Sequence, residues 1–152
     1  MNSEKWHSVT LRLVSSQLTC AQLTERIGVK PTRCEDIGSP VSKRTPNSAL
    51  RVETIWLISS TVPEREPLEN HLLEIVAIAE AHIETIRTLP CEADIICAIS
   101  STIGQASALI DASLCRRIAD LGWDILLNMF PPSSETAVNQ CNGQRETCDI
   151  VF

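Results

Sequence analysis

Between residues 68 and 89 apolar side chains return every three or four positions, so that Leu68, Leu72, Ile75, Val76, Ala79, Ile83 and Ile86 form one stripe along a long helix opened by Pro67. A helix with such a stripe needs an apolar surface to lie on. Each large aliphatic buried there stabilises the fold by roughly 1.5–3 kcal/mol, against about 0–1 kcal/mol for a surface ion pair on the same helix. The required surface shows as a second period. His7, Val9, Leu11 and Leu13 alternate with Ser8, Thr10 and Arg12, the pattern of a half-buried strand that should be central in a sheet. Residues 53–60 place Ile55 and Leu57 on one face and Trp56 and Ile58 on the other, so both faces are at least partly covered. Residues 91–100 gather Cys91, Ala93, Ile95, Cys97 and Ile99 on one face, and residues 123–130 form a last strand that Pro131 and Pro132 stop.

Two short helices complete the set. Thr19 is placed to cap one in which Leu23 and Ile27 share a face before Gly28 stops it. Asp111 or Ser113 caps another, with Leu114, Ile118 and Leu121 buried, Arg116 and Arg117 in water and Gly122 at its end. From residue 29 to 51 periodicity is lost under Pro31, Gly38, Pro40 and Pro46, which predicts a long ordered loop or a short edge strand. Thr102 to Gln105 reads as a turn into a short strand over 106–110. The order predicts an α+β fold, a ferredoxin-like sandwich with a mainly antiparallel sheet of four to five strands and helices packed on one face. Residues 1–130 make one domain, and 131–152 a polar, poorly ordered tail whose last residues, Ile150, Val151 and Phe152, can dock.

Composition narrows the function classes. A formal charge of -6 over 152 residues argues against a nucleic-acid binder, which must offer net positive charge to phosphates. No apolar run approaches a membrane span, and the first residues lack a basic-then-apolar signal, so a cytoplasmic protein without membrane contact is expected. The seven cysteines contain no C-x-x-C pair, which leaves metal and redox chemistry without a motif. Cys91 and Cys97 read as core thiols. Cys141 and Cys148 bracket a turn at Asn142-Gly143 and can close a small loop if oxidised, although reduced thiols are the expectation for a cytoplasm.

Charge is uneven along the chain. Arg26, Lys30, Arg33, Lys43, Arg44 and Arg51 face only Glu35 and Asp36, whereas nine acidic residues from Glu53 to Asp94 face only Arg65 and Arg87. A basic loop running into Trp56 suits a phosphate, a carboxylate or an acidic partner, through guanidinium forks and an aromatic face. Alternatively, the same cations pair with the acidic face of the long helix. His71 and Glu74 are three apart on that helix and can act as a proton-transfer pair, or serve only as exposed helix polarity. The paired serines at strand ends (Ser15-Ser16, Ser59-Ser60, Ser100-Ser101) lie in no G-x-S-x-G elbow, and Gly104 stands outside any phosphate-binding glycine motif.

Several modest motifs combine. Gly28-Val29-Lys30-Pro31-Thr32-Arg33, Gly38-Ser39-Pro40 followed by Ser42-Lys43-Arg44, the isolated Trp56, Leu68-Glu69-Asn70-His71-Leu72 and Leu121-Gly122-Trp123-Asp124-Ile125 resemble, in order and spacing, the bacterial domain of unknown function 4279 family from about Val9 to Phe130. The resemblance implies a small α+β protein without an established activity, with some members encoded near toxin or defence systems. That implies immunity or partner-binding work. The second motif in the family carries an acidic residue between its Gly and Pro, where this chain has Ser39. The reading is a non-enzymatic binding or immunity-like protein that meets a toxin or defence component through Arg33, Lys43, Arg44, Trp56 and His71. The alternative is a sensor of an anionic small molecule, or a small enzyme, using the same pocket. No cofactor and no metal are expected.

Overall fold

The computed structural model describes residues 5–45, 47–101 and 106–130. Its elements in chain order are β1 (Lys5–Ser15), α1 (Cys20–Ile27), β2 (Arg33–Glu35), β3 (Thr54–Ser59), α2 (Leu68–Thr88), β4 (Glu92–Ser101), α3 (Ala112–Leu121) and β5 (Asp124–Phe130). The five strands form one sheet in the order β2-β3-β1-β4-β5, with the alternating strand β1 at its centre. β1 runs antiparallel to both neighbours, β2 runs antiparallel to β3, and β5 runs parallel to β4. Since β3 and β4 both oppose β1, they are parallel to each other, and α2 joins them across it in the split β-α-β unit of ferredoxin-like sandwiches.

One face of the sheet carries the core. Val9, Leu11 and Leu13 of β1, Trp56 and Ile58 of β3, and Ile95, Cys97 and Ile99 of β4 pack in one cluster with Leu23 and Ile27 of α1, the α2 stripe, and Leu114, Ile118 and Leu121 of α3. The caps follow the sequence. Thr19 and Gln22 form a reciprocal capping box on α1, Asp111 accepts from the Leu114 N–H on α3, and Gly28 and Gly122 end their helices in the left-handed region that glycine adopts without strain. Among the described residues, no helix is long and apolar enough to cross a membrane.

One expectation about elements is corrected. Residues 106–110 form no strand, and Leu109 is exposed. The short edge strand that residues 29–51 allowed is present as Arg33–Glu35, and α3 returns the chain to put β5 directly beside β4. The turn at 102–105, the tail from 131 and the Cys141–Cys148 pair lie outside the described residues.

Candidate functional site

The proline-punctuated segment that follows β2 is an ordered arm. Its two limbs are joined where the Gly38 N–H donates to the Arg51 carbonyl, the Arg51 N–H to the Ser39 carbonyl and the Val41 N–H to the Ala49 carbonyl, each at 2.8 Å, with a bridge between Pro40 and Leu50. Pro40 fits because the ladder between the limbs draws its donors from Gly38, Val41 and Arg51. Near the tip, the Ser42 hydroxyl accepts from the Arg44 and Thr45 N–H groups, and the Ser48 hydroxyl from the Ser42 N–H. Asn47 takes a positive φ of 60°, which its short amide side chain tolerates.

The base of the arm is fastened at several points. Glu35 accepts from Arg33 on one oxygen (2.7–2.9 Å) and from Arg51 on the other (2.8 Å). Burial alone would raise the Glu35 carboxyl, but the hydrogen bonds and charges of Arg33 and Arg51 outweigh it and hold the group below the usual carboxylate range. The Ile37 N–H donates to the Thr54 hydroxyl, which is fully buried at the start of β3. The Cys20 N–H donates to the Asp36 carboxylate at 2.6 Å, and a disulfide links Cys20 to Cys34. The sequence carried no motif that paired these two cysteines. Cys34 lies fourteen positions after Cys20, and only the folding of β2 onto β3 beside α1 brings them together.

What the arm presents is mainly apolar. Ile37, Val41, Leu50 and Val52 are all exposed, Leu50 by 62% and Val52 by 79%, and Lys43 and Arg44 lie exposed at the tip. The predicted basic loop is therefore an apolar ribbon with a cationic end. Of its expected cations, Arg33 and Arg51 are neutralised by Glu35 and not by the acidic helix. On that helix Glu80 pairs with Arg117 of α3 at 2.7 Å, so Arg117 is bound rather than simply solvated.

The remaining predicted residues lie elsewhere. Trp56 is 0% exposed on the core face of β3, where its indole N–H donates to the Thr24 hydroxyl at 3.1 Å, so it offers nothing to a ligand on the surface. His71 is 1% exposed, which corrects its reading as helix-surface polarity. It contacts Ser60 at the far end of β3 from the arm, about 20 Å away at the usual rise of a strand. There the Ser60 hydroxyl donates to Glu74 (2.8 Å), which also accepts from the Thr61 N–H (2.9 Å), the Thr61 hydroxyl (2.7 Å) and the Val62 N–H (3.3 Å). With the Ser60 hydrogen engaged by Glu74, the proton between His71 Nδ1 and Ser60 belongs to the ring, and Nε2 is a bare acceptor. His7 repeats the arrangement, its Nδ1 donating to the Glu66 carbonyl at 3.0 Å. Both Nε2 atoms are buried without a protein partner, and burial together with the neighbouring His7 pushes His71 below the ordinary imidazole range. Glu74, saturated by these donors, is a clamp on the turn after β3.

Two other places were natural candidates. No group of three or more His, Cys, Asp or Glu able to hold a metal occurs among the described residues. A cleft of about 590 Å³ at the start of β4 and β5 is lined by Arg12, Arg87, Asp94, Trp123 and Asp124 among others. Its cations are engaged, Arg12 by Asp94 and Arg87 by Glu84 and the Asp120 carbonyl.

Compared with known proteins, the chain matches the model of one family, described as Domain of unknown function (DUF4279), over residues 4–130. No curated protein and no solved structure matches it. The match spans most of the sequence and all five strands, so the chain belongs to the DUF4279 family.

Proposed function

We propose that this DUF4279 domain is a non-enzymatic binding protein, immunity-like in mode, which docks an acidic protein partner on the arm over residues 36–52. The observation that carries the reading is the exposure of Ile37, Val41, Leu50 and Val52 on a ribbon whose own backbone and base are rigidly bonded. Exposed aliphatics on a preorganised element lose little entropy on association. Burying Leu50 and Val52 against a partner would contribute roughly 1.5–3 kcal/mol each, more than the rim cations can, whose role is to steer and select. Lys43 and Arg44 fit an acidic rim on that partner. The arm is open, and a broad macromolecular face suits it better than a small anion, which needs an enclosing pocket.

The test is site-specific photo-crosslinking in extract of the source cell, with benzoylphenylalanine placed at Val52 or, as a control, at the exposed Ala119 on α3. A discrete adduct with one acidic protein from Val52, absent from Ala119 and reduced at least tenfold by Lys43→Glu with Arg44→Glu, is expected. Equal labelling from both positions, or labelling indifferent to the charge reversal, contradicts the reading.

A further inference from the structure

We propose that the Cys20–Cys34 disulfide is a redox latch on the arm: a dithiol reductant opens it, loosens residues 36–52 and weakens docking, while the sheet and helices beneath stay folded. The consequence for docking rests on the function proposed above; the latch itself rests on local geometry.

Cys20 is the first residue of α1 and Cys34 the middle residue of β2, so the bond ties the edge strand to a helix seated in the core. The arm leaves directly from that strand. β2 is held to β3 over only three residue pairs, Arg33 with Leu57, Cys34 with Trp56 and Glu35 with Ile55, and among the described residues it has no strand on its other side. Without the covalent link the base of the arm depends on the Glu35 ion pairs, the Asp36–Cys20 hydrogen bond and the Ile37–Thr54 hydrogen bond. All of these except Thr54 sit at the partly exposed rim, where water competes for them. The centre of the fold is independent of the bond. Val9, Leu11 and Leu13 lie between β3 and β4, and α2 covers them.

The cysteines differ in the way a latch needs. Cys20 and Cys34 are both partly exposed, so a thiolate can reach a sulfur. Cys97 is buried and its thiol is pushed up to about 11 by burial, which keeps it out of exchange. In the opening step a reductant thiolate attacks Cys34 Sγ, forming a mixed disulfide and expelling the Cys20 thiolate. The second thiol of the reductant then attacks the mixed disulfide and releases Cys34. Two electrons and two protons pass to the cysteines, and the reductant leaves as its own disulfide. The hydrogen bond from the Cys20 N–H to the Asp36 carboxylate keeps the two cysteines close for reoxidation.

The experiment is amide hydrogen exchange by NMR on the full chain, with and without dithiothreitol, and on a Cys20→Ser, Cys34→Ser double variant. Reduction should lower the protection of the Gly38, Val41 and Arg51 amides at least tenfold more than that of the β1 and β4 amides. The double variant should match without reductant, and reoxidation should restore the wild-type pattern. An unchanged ratio between arm and sheet, or loss of the β1 and β4 resonances together with the arm, overturns the latch. Reduced wild-type protein decides the matter alone should the variant fail to fold. The Val52 crosslink is then measured in both redox states. A loss on reduction supports control of docking, and an unchanged yield from a loosened arm overturns that control while the docking reading stands. If the oxidised protein gives no adduct, the docking reading fails and the exchange ratio still decides the latch.

Discussion

The two edges of the sheet solve the same problem in opposite ways. An edge strand offers unpaired N–H and C=O groups, and a long flat apolar one recruits other strands. At the β2 edge the strand has three residues, carries Arg33 and Glu35 in an ion pair, is tied by a disulfide and continues into the arm. At the β5 edge the strand has seven residues, and Ile125, Leu126, Leu127, Asn128, Met129 and Phe130 follow one another without a charge. Met129 is 76% exposed, and a T-shaped contact between Trp6 and Phe130, with ring centroids 6.1 Å apart, is the only aromatic pair there among the described residues. The chain thus concentrates its local cross-links at one margin. With only three residue pairs holding β2 to the sheet, these cross-links mount the arm that leaves from it.

The largest predicted effect separates the two margins energetically. Trp56 lies under the β2 margin with no exposure, so Trp56→Ala should cost about 3–5 kcal/mol by emptying a large site and leaving the Thr24 hydroxyl without its donor. Leu127→Ala at the opposite margin, where the side chain is half exposed, should stay within about 1 kcal/mol. Urea unfolding of both variants checks this, and equal losses would dissolve the asymmetry. Next comes Glu35→Gln, which deprives Arg33 and Arg51 of their shared carboxylate and should cost about 1–3 kcal/mol at neutral pH. Because the folded Glu35 carboxyl titrates below its ordinary 4.5, its contribution is complete above that pH and disappears as pH falls through the lowered value. The gap between wild type and Glu35→Gln should therefore close in acid.

A third measurement probes the end of β3 away from the arm. His71 faces His7 from β1, Ser60 from the turn after β3 and Glu74 from its own helix, with the carbonyls of Pro63 and Glu66 close by. Burial first, and His7 second, lower its folded value below 6.5, so the fold favours the neutral ring. That stabilisation is whole above pH 6.5 and is lost as pH falls through the lowered value. Stability measured at pH 7.5 and 5.5 should drop more for wild type than for His71→Gln. Exchange of the Ser60 to Val62 amides should rise before that of Gly38 and Arg51, since only the far end of β3 carries the histidine. Simultaneous opening would show that the two ends act as one.

Most of the frame was legible because burial imposes a period. The strands, the three helices and their caps at Thr19, Asp111, Gly28 and Gly122 follow from spacing and end chemistry alone. The misplaced residues fail for separate reasons. Trp56 stands among apolar neighbours on both sides, so alternation could not decide which face it takes. His71 had a usable signal: it stands three after Leu68 and four before Ile75, on the stripe itself, and its polarity masked its position. Cys20 and Cys34 meet only once β2 has paired with β3, a contact between elements that no spacing rule encodes. The segment at 106–110 has strand-like length, but α3 delivers β5 in parallel beside β4 and leaves no place for it in the sheet. The arm's charge was visible and its apolar exposure was not, because Ile37, Val41, Leu50 and Val52 are spread over sixteen aperiodic positions, where no spacing rule says which side chains are covered.

The smallest effect on stability tests the β5 margin itself. Met129 is exposed at the edge, so Met129→Lys should change unfolding free energy by no more than about 0.5 kcal/mol. Its effect on association is a separate matter. A lysine on an edge strand opposes the approach of a second uncharged strand, and sedimentation at high protein concentration should show less self-association for Met129→Lys than for wild type. Lys43→Met, which removes a charge at the tip of the arm, should leave self-association unchanged if strand addition is confined to β5. Should both substitutions alter association equally, the arm and the β5 margin would be one adhesive surface, and the ion pairs and disulfide at the base of the arm would have to be understood as protection against aggregation rather than as a mount for recognition.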